Sequence, residues 1–485
     1  MNTRIISAAG FLFFATLQPA LPIGGVDTPP PAAAPHEVAF VQPKETKLAN
    51  GLRVIVVERP DLPLLAAEVL IRNGAELDPE DHAGTASMTG ALLTKGTETM
   101  TAPQIANAIE TLGGNIDSGA HWDAARATVV VMSDKAEPAL KILSDVVLHP
   151  TFKQEEIDRL KNQTLDGLRV ALRQPGALAQ FVTARIIFGS GPYAHSHIGT
   201  MESVPAIKRE DIVKLYQSCY VPGNAALIFS GNLTLEQGTR YAEQFFGEWK
   251  GGPPPQRDPA LFDTSAWKPS NTVIDLAEAG QAAVVVARPS LKRSSPDYYP
   301  GLVANAALGT GFVSRLNREI RINRGLSYGA HSSIEARREV GPFSAMAQTK
   351  NESAAVVAAL MQTELKRLHA EPVKGDELKS RQAVLTGGYA RNLETNNGYV
   401  GKISVMIAND LPLDTLNKFI PAINGVTSED VSAFAAKYFD SPPSLIIVGK
   451  APEFLEPLKK DFPEVRVIPA SDLDLNRAEL TKAKP

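Results

Sequence analysis

"REDIVKLYQSCYVPGNAALIFSGNL" runs from Arg209 to Leu233, and "SEDVSAFAAKYFDSPPSLIIVGKA" runs from Ser428 to Ala451. The two stretches share one pattern. Each opens with Glu-Asp at a polar, N-cap-like start and continues as a helix with aromatic residues near its end. Each then passes through a Pro turn into an apolar strand that stops at Gly. Upstream, "FKQEEIDRLKNQTLDGLRVAL" (Phe152–Leu172) resembles "VKGDELKSRQAVLTGGYARNL" (Val373–Leu393). Both read as acidic-capped amphipathic helices, one after His149-Pro150 and the other after Glu371-Pro372. Two matched segments in the same order argue for an internal duplication whose period is a whole domain. Between the copies lies "KGGPPPQRDP" (Lys250–Pro259), too rich in Pro and Gly for a helix or a central strand, and it reads as a linker.

Each half mixes element types. "GLRVIVVERP", "LLAAEVLIRNG" and "ARATVVVMSD" alternate or run apolar like strands. "TAPQIANAIETLGG" starts with a Thr cap and Pro and ends at Gly113-Gly114, as helices do. "AEPALKILSDVVLHP" is a further helix ending before Pro. Hairpin-like strands with packed helices give an α+β unit, present twice.

Bulk properties narrow the function. The 485 residues suffice for two to four domains at roughly 100–200 residues each. A net charge of −4 without a long basic run argues against a nucleic-acid partner. Cys219 is the single cysteine, so an intrachain disulfide and a thiolate zinc site are both excluded, and a metal site must use His and carboxylates. Near the N-terminus Arg4 precedes an apolar run from Ile5 to Leu17, followed by small residues and prolines. That is the outline of a secretory signal peptide cleaved near Ala20; the run is short for a membrane span of about 20 residues. No cysteine is present there for a lipid anchor. Export without disulfides fits a bacterial periplasm, with no membrane span after cleavage. The reading divides the chain into a signal peptide (1–25), a Pro/Ala-rich leader (26–40), a first domain (41–249), a linker (250–270), a second domain (271–470) and a polar tail (471–485).

Two stretches attract chemical attention. "GTASMTGALLTKGT" (Gly84–Thr97) is a frame of small residues that presents a helical face, yet the face carries only Ser87, Gly90 and Ala91. "SRLNREIRINRGLSYGAHSS" (Ser314–Ser333) reads as a helix from Ser314 to Asn323 with a charged side, a left-handed C-cap at Gly325 and a strand over "LSYGAHSSIEA". Arg324 leaves the helix end where Tyr328 begins the strand, so a cation and a phenol converge. On physical grounds alone, Arg324 complements the helix dipole and Tyr328 packs. Just upstream, Gly309 and Gly311 flank Thr310; a lone Gly-x-Gly is too little for a phosphate loop and suits a tight turn. Among the histidines, His82 reads as a solvated loop residue, and His121 as a strand residue near a cavity with its hydrogen bonds satisfied. His195 and His197 stand two apart, which on a strand would face both to one side.

The two-half plan, with "NGLRVIVVERPDLPLLAAEVLIRNGAELDP", "GTASMTGALLTKGT", "GPYAHSHIGTMESVPAIKREDIVKLYQSCYVPGNAALIFSGN" and "SRLNREIRINRGLSYGAHSS", resembles the M16 (pitrilysin-type) metallopeptidases in their two-domain class. The resemblance implies two homologous domains of mixed antiparallel sheet packed with helices (the LuxS/MPP-like metallohydrolase fold), forming one half of a clamshell. Active members carry His-x-x-Glu-His on the Gly84–Thr97 frame. Two His four residues apart share a helical face and bind zinc, and the Glu serves as general base. Here those positions are Ser87, Gly90 and Ala91, so the first domain lacks the zinc motif. A third, carboxylate ligand comes from a later helix in the family; "NQTLDGLRV" offers Asp166, but Gly167 or Leu168 stands at the expected place. The resemblance also makes His195-Ser196-His197 an ordinary turn without metal.

The same resemblance implies that Arg324 and Tyr328, matching the family's R-G-x-x-Y, bind substrate and stabilise the oxyanion, and that Gly309 and Gly311 belong to a flexible loop facing the substrate chamber. A chain that keeps this pair and lacks the zinc motif matches the non-zinc subunit of paired enzymes. It is expected to bind no cofactor itself, to be inactive alone, and to act on peptides with a zinc-bearing M16 partner subunit. The alternative is a catalytically inactive peptide-binding or scaffold subunit of a larger complex.

Overall fold

The computed structural model describes residues 39–482. The expected signal peptide and nearly all of the leader lie outside the described residues. Twelve strands, β1 Lys44–Lys47, β2 Arg53–Glu58, β3 Leu64–Ile71, β4 Asn115–Ala120, β5 Ala125–Met132, β6 Ala225–Gly231, β7 Asn271–Asp275, β8 Ala282–Pro289, β9 Ser327–Ile334, β10 Pro342–Thr349, β11 Ser444–Gly449 and β12 Val465–Pro469, form two six-stranded sheets.

The duplication is visible in the topology. The first sheet has the order β1-β2-β6-β3-β5-β4 and the second β12-β7-β11-β8-β10-β9. In both, the second and third positions pair parallel and the third to sixth positions pair antiparallel. The copies differ at one outer edge, where β1 pairs antiparallel with β2 and β12 pairs parallel with β7. The fold is α+β, with two domains of mixed sheet packed with helices. β6 and β11 are buried along their whole length, in keeping with sequences that are apolar except for Ser230 and Ser444. The Glu-Asp starts of the repeated helices also have a shared cause. Asp430 accepts the Thr427 backbone N–H at 2.8 Å, and Asp211 accepts that of Lys208 at 2.7 Å, so in each copy the Asp reaches back to satisfy an orphan amide.

The two domains cover each other's sheets. The Pro175–Phe188 helix leaves the first domain and packs on β8 and β11 of the second sheet, burying Leu178, Ala179, Val182 and Ile187. The Asn396–Ala408 helix of the second domain packs on β6 and β3 of the first, burying Tyr399, Val400 and Ile403. The tail is not a free polar extension: Leu480 is buried beside Leu178, and Arg185 donates from Nη2 to the Leu475 carbonyl at 2.9 Å.

A buried charged cluster completes the seam. Arg338, in the turn after β9, donates from Nη2 to the Arg72 carbonyl (2.7 Å) and the Asp123 carbonyl (2.9 Å), and from Nε to the Ala408 carbonyl. Its Nη1 lies 3.9 Å from Glu76. Burial, reinforced by the negative charge of Asp123, pushes the Glu76 carboxyl up to about 7. A carboxyl whose folded pKa is raised holds its proton longer in the folded than in the unfolded state. The fold therefore loses stability as pH rises from the ordinary carboxylate range toward 7. Glu76→Gln removes this loss: relative to the parent, the variant gains about 1–3 kcal/mol in denaturant unfolding between about pH 5 and pH 8. A pH-independent difference would assign Glu76 no such titration.

Candidate functional site

The Thr85–Leu92 helix carries the three degenerate positions. Its N-terminus is held by Asp78, whose buried carboxyl accepts the backbone N–H groups of Gly84 and Ala86, both at 2.9 Å. Gly84, at φ +99°, makes the entry in a left-handed conformation that a side chain resists. The helix lies directly on β4. A Cβ at Gly90 would stand 2.5 Å from the Gly119 carbonyl carbon and 2.7 Å from the Ala120 nitrogen. Position 90 has thus become a backbone contact between helix and strand.

Ser87 and Ala91 face a cleft of about 200 Å³ whose other walls include Leu160, Thr164, Gly167 and Leu168. No His, Asp or Glu lines it. Asp166 sits on the outer side of the Gln154–Ala171 helix, 74% exposed, and pairs with Arg169 at 2.5 Å. Among the described residues, no three His, Cys, Asp or Glu side chains are arranged to hold a metal ion. The zinc of active M16 enzymes does not fit here: the ligands are absent, and position 90, where the base would stand, packs against the β4 backbone.

The second-domain stretch is built differently. Residues Asn317–Asn323 form a π-helix, a rare turn frequent at functional sites. Gly325 closes it at φ +62°, the left-handed cap its sequence required. Gly309 is the last residue of the Tyr298–Gly309 helix and not a loop residue; a Cβ there would meet Ser332 of β9 at 2.3 Å. Gly311 alone lies in the turn, at φ +85° with open space around it.

Tyr328 is 91% exposed on β9, and its hydroxyl makes no hydrogen bond with the described residues. It lines an open groove of about 550 Å³ with Ser327, Gly329, His331 and Gln348. β9 is the edge of its sheet, but its outer side is partly covered: Asn317 accepts from the Ala330 backbone N–H at 2.9 Å and Asn305 donates to the Ser332 carbonyl at 3.3 Å. Arg324 is turned to Glu319, to which Nε donates at 2.9 Å and Nη2 lies at 2.8 Å. Hydrogen bonds from Arg324 and Asn323 hold the Glu319 carboxyl below its usual range. The cation on the phenol is Arg321: its guanidinium carbon sits 4.8 Å from the Tyr328 ring centre and 4.7 Å from that of Phe312. The Arg318, Arg321, Arg324 spacing was the available signal for it, but the π-helical register that selects one of the three is not written in that spacing.

The histidines are redistributed. His82 lies in the Glu80–His82 turn and pairs with Asp81 at 2.9 Å. His121 lies just past β4, in the turn to β5, and not on a strand. There it meets His197, the ring centres 4.4 Å apart, beside His195 in the same cavity. Burial is the main cause that lowers the pKa of all three, and His197 falls to about 4.

Two family profiles match this chain: "Insulinase (Peptidase family M16)" over residues 53–190 and "Peptidase M16 inactive domain" over residues 206–385. An uncharacterized zinc protease of Bacillus subtilis is 22% identical over 404 residues, covering 82% of this chain and 96% of the relative. A protein named a non-peptidase homolog in Helicobacter pylori is 23% identical over 385 residues, covering 79% and 88%. The crystal structure of a peptidase M16 inactive domain from Pseudomonas fluorescens superposes with a TM-score of 0.78 at 29% identity, covering 84% of this chain and 98% of that one. A Helicobacter pylori protease structure shares the fold, with a TM-score of 0.80 at 17% identity, covering 85% and 100%.

The packing at Gly90 sets a test. In an open helix Gly→Ala stabilises by about 1 kcal/mol. Here Gly90→Ala is expected to destabilise by about 1–3 kcal/mol in denaturant unfolding, because Cβ strikes β4. The triple change Ser87→His, Gly90→Glu, Ala91→His is expected to bind no stoichiometric zinc by metal analysis. A stable Gly90→Ala protein, or a zinc-loaded triple variant, would refute the closed-helix account.

Proposed function

This chain belongs to the M16 peptidase family, and we propose that within it the chain is the non-zinc subunit of a periplasmic heterodimeric peptidase. The observation that carries the reading is a contrast between two sites: positions 87, 90 and 91 are small and one is packed shut, whereas Tyr328 stands exposed on an open groove with the Arg321 guanidinium over its ring. The periplasmic assignment rests on the apolar run Ile5–Leu17 after Arg4.

In this reading a partner chain supplies the zinc, and a peptide or unfolded segment lies in the groove that Tyr328 lines, held partly through its backbone. The Tyr328 hydroxyl donates to the oxyanion that develops on the scissile carbonyl. Arg324, oriented by Glu319, binds a backbone carbonyl or the same developing charge. Arg321 is a positioning residue that holds the phenol between itself and the edge strand. One such transition-state hydrogen bond contributes about 3 kcal/mol, roughly a hundredfold in rate. The exposed phenol favours this reading over a purely structural subunit, although the name of the Helicobacter pylori relative suits both.

Three outcomes are expected. The isolated chain with added zinc cleaves no peptide. Mixed with its zinc-bearing partner, the parent chain raises kcat. Tyr328→Phe lowers that kcat by roughly a hundredfold with KM little changed. An unchanged kcat in Tyr328→Phe would remove the oxyanion role, and a partner fully active without this chain would leave the scaffold reading.

A further inference from the structure

The three histidines gathered from distant segments lie in a cavity of about 340 Å³ between the β4–β5 turn, the loop after the Pro175–Phe188 helix, and the second sheet. Arg337 is its central charge. The side chain is 7% exposed, and its guanidinium carbon lies 4.3 Å from the Trp122 ring centre and 4.6 Å from that of Tyr193. Glu335 occupies part of it, with Nε donating at 3.0 Å and Nη2 lying at 2.9 Å. Nη1 is left buried with no hydrogen-bond partner among the described residues, as is the Ser196 hydroxyl. Both residues line the cavity. An arginine nitrogen left buried and unpaired costs more than an exposed one, so a group that accepts from it is strongly favoured.

The local charge balance points the same way. His121, His197 and Arg337 stand together with Glu335 as the acidic residue lining the cavity, and Glu335 already serves Arg337. His197 stays neutral because of burial first, then the neighbouring charges of His121 and Arg337. Glu335 is the one carboxylate among the described residues of the lining, so an added anion meets no other like charge there. Nη1 and the Ser196 hydroxyl are two buried donors in the cavity wall, and a carboxylate oxygen is the strong acceptor such donors favour. The remaining wall, including Phe181, Ile187, Val285 and Met346, is apolar.

We propose that this cavity binds a carboxylate borne on an apolar residue, namely the C-terminus of a bound peptide. Only the source of the carboxylate rests on the peptide-binding reading given above. The cavity adjoins the Tyr328 groove on one face of the second sheet, where His331 and Met346 line both. Tyr328 and Ser333 are five positions apart on β9, about 17 Å at the rise of a strand, which is the span of about five extended residues of a peptide crossing that face of the sheet.

The test uses the full chain alone, so it needs neither partner nor cleavage. A failed heterodimer would leave it standing, and its failure would leave the Tyr328 role untouched. The probes are N-acetyl-leucine, N-acetyl-leucinamide, N-acetyl-glutamate α-amide and inorganic phosphate, read by calorimetry and by the histidine ring protons in NMR. N-acetyl-leucine is expected to bind and to shift His121 and His197, with the amide at least about tenfold weaker. Ser196→Ala is expected to weaken the acid several-fold at unchanged melting temperature, and Arg337→Gln to abolish binding. If Arg337→Gln fails to fold, Ser196→Ala decides alone. Equal binding of acid and amide, or parental affinity in Ser196→Ala, would overturn the site. Phosphate displacing N-acetyl-leucine would overturn the carboxylate assignment. Equal binding of the glutamate α-amide would overturn the C-terminal one.

Discussion

The structure depends on an exchange of helices between its two domains. Each sheet has an apolar face that must be covered, and in each case the helix that covers it comes from the other half of the chain. Neither domain can dissociate without uncovering Ile55, Ala66 and Ile228 on one side or Val285, Ile446 and Val448 on the other. The two halves are therefore held at a fixed distance. The turns after β4 and β9, which carry His121, Trp122, Glu335 and Arg337, meet across that fixed seam. A cavity built from such turns is preformed because the scaffold around it is rigid.

The same exchange explains how the two copies diverged without losing the fold. In both domains a glycine lets a helix lie against the edge strand: Gly90 on β4 and Gly309 on β9. The first copy has become backbone packing with no reactive side chain. The second keeps an exposed phenol on its edge strand, next to a π-helix that places Arg321 on one ring face and turns Arg324 toward Glu319. Duplication supplied two equivalent frames, and the chemistry proposed here resides in one of them.

Much of this was legible in the sequence, for stated reasons. β2, β3 and β5 show alternation or apolar runs, and the repeated Glu-Asp starts encode reciprocal capping. The loss at Ser87, Gly90 and Ala91 was visible only through the resemblance to the M16 frame, whose zinc ligands admit few residue types. What it could not show depends on long-range placement. The Pro175–Phe188 helix is apolar enough to be buried, but that does not say under which sheet. The close approach at Gly90 belongs to helix and strand together. Arg321 was chosen over Arg324 by a π-helical register, and the cavity assembles His121, Ser196, His197 and Arg337 from three separated segments.

The central claim is that this chain is half of a composite enzyme and leaves the metal to a partner. Purification of the native complex, with the partner sequenced and its zinc counted, tests it most directly. The account predicts a second M16 chain with an intact His-x-x-Glu-His, in equal amount, holding all of the bound zinc. Stoichiometric zinc on this chain when purified alone would contradict it.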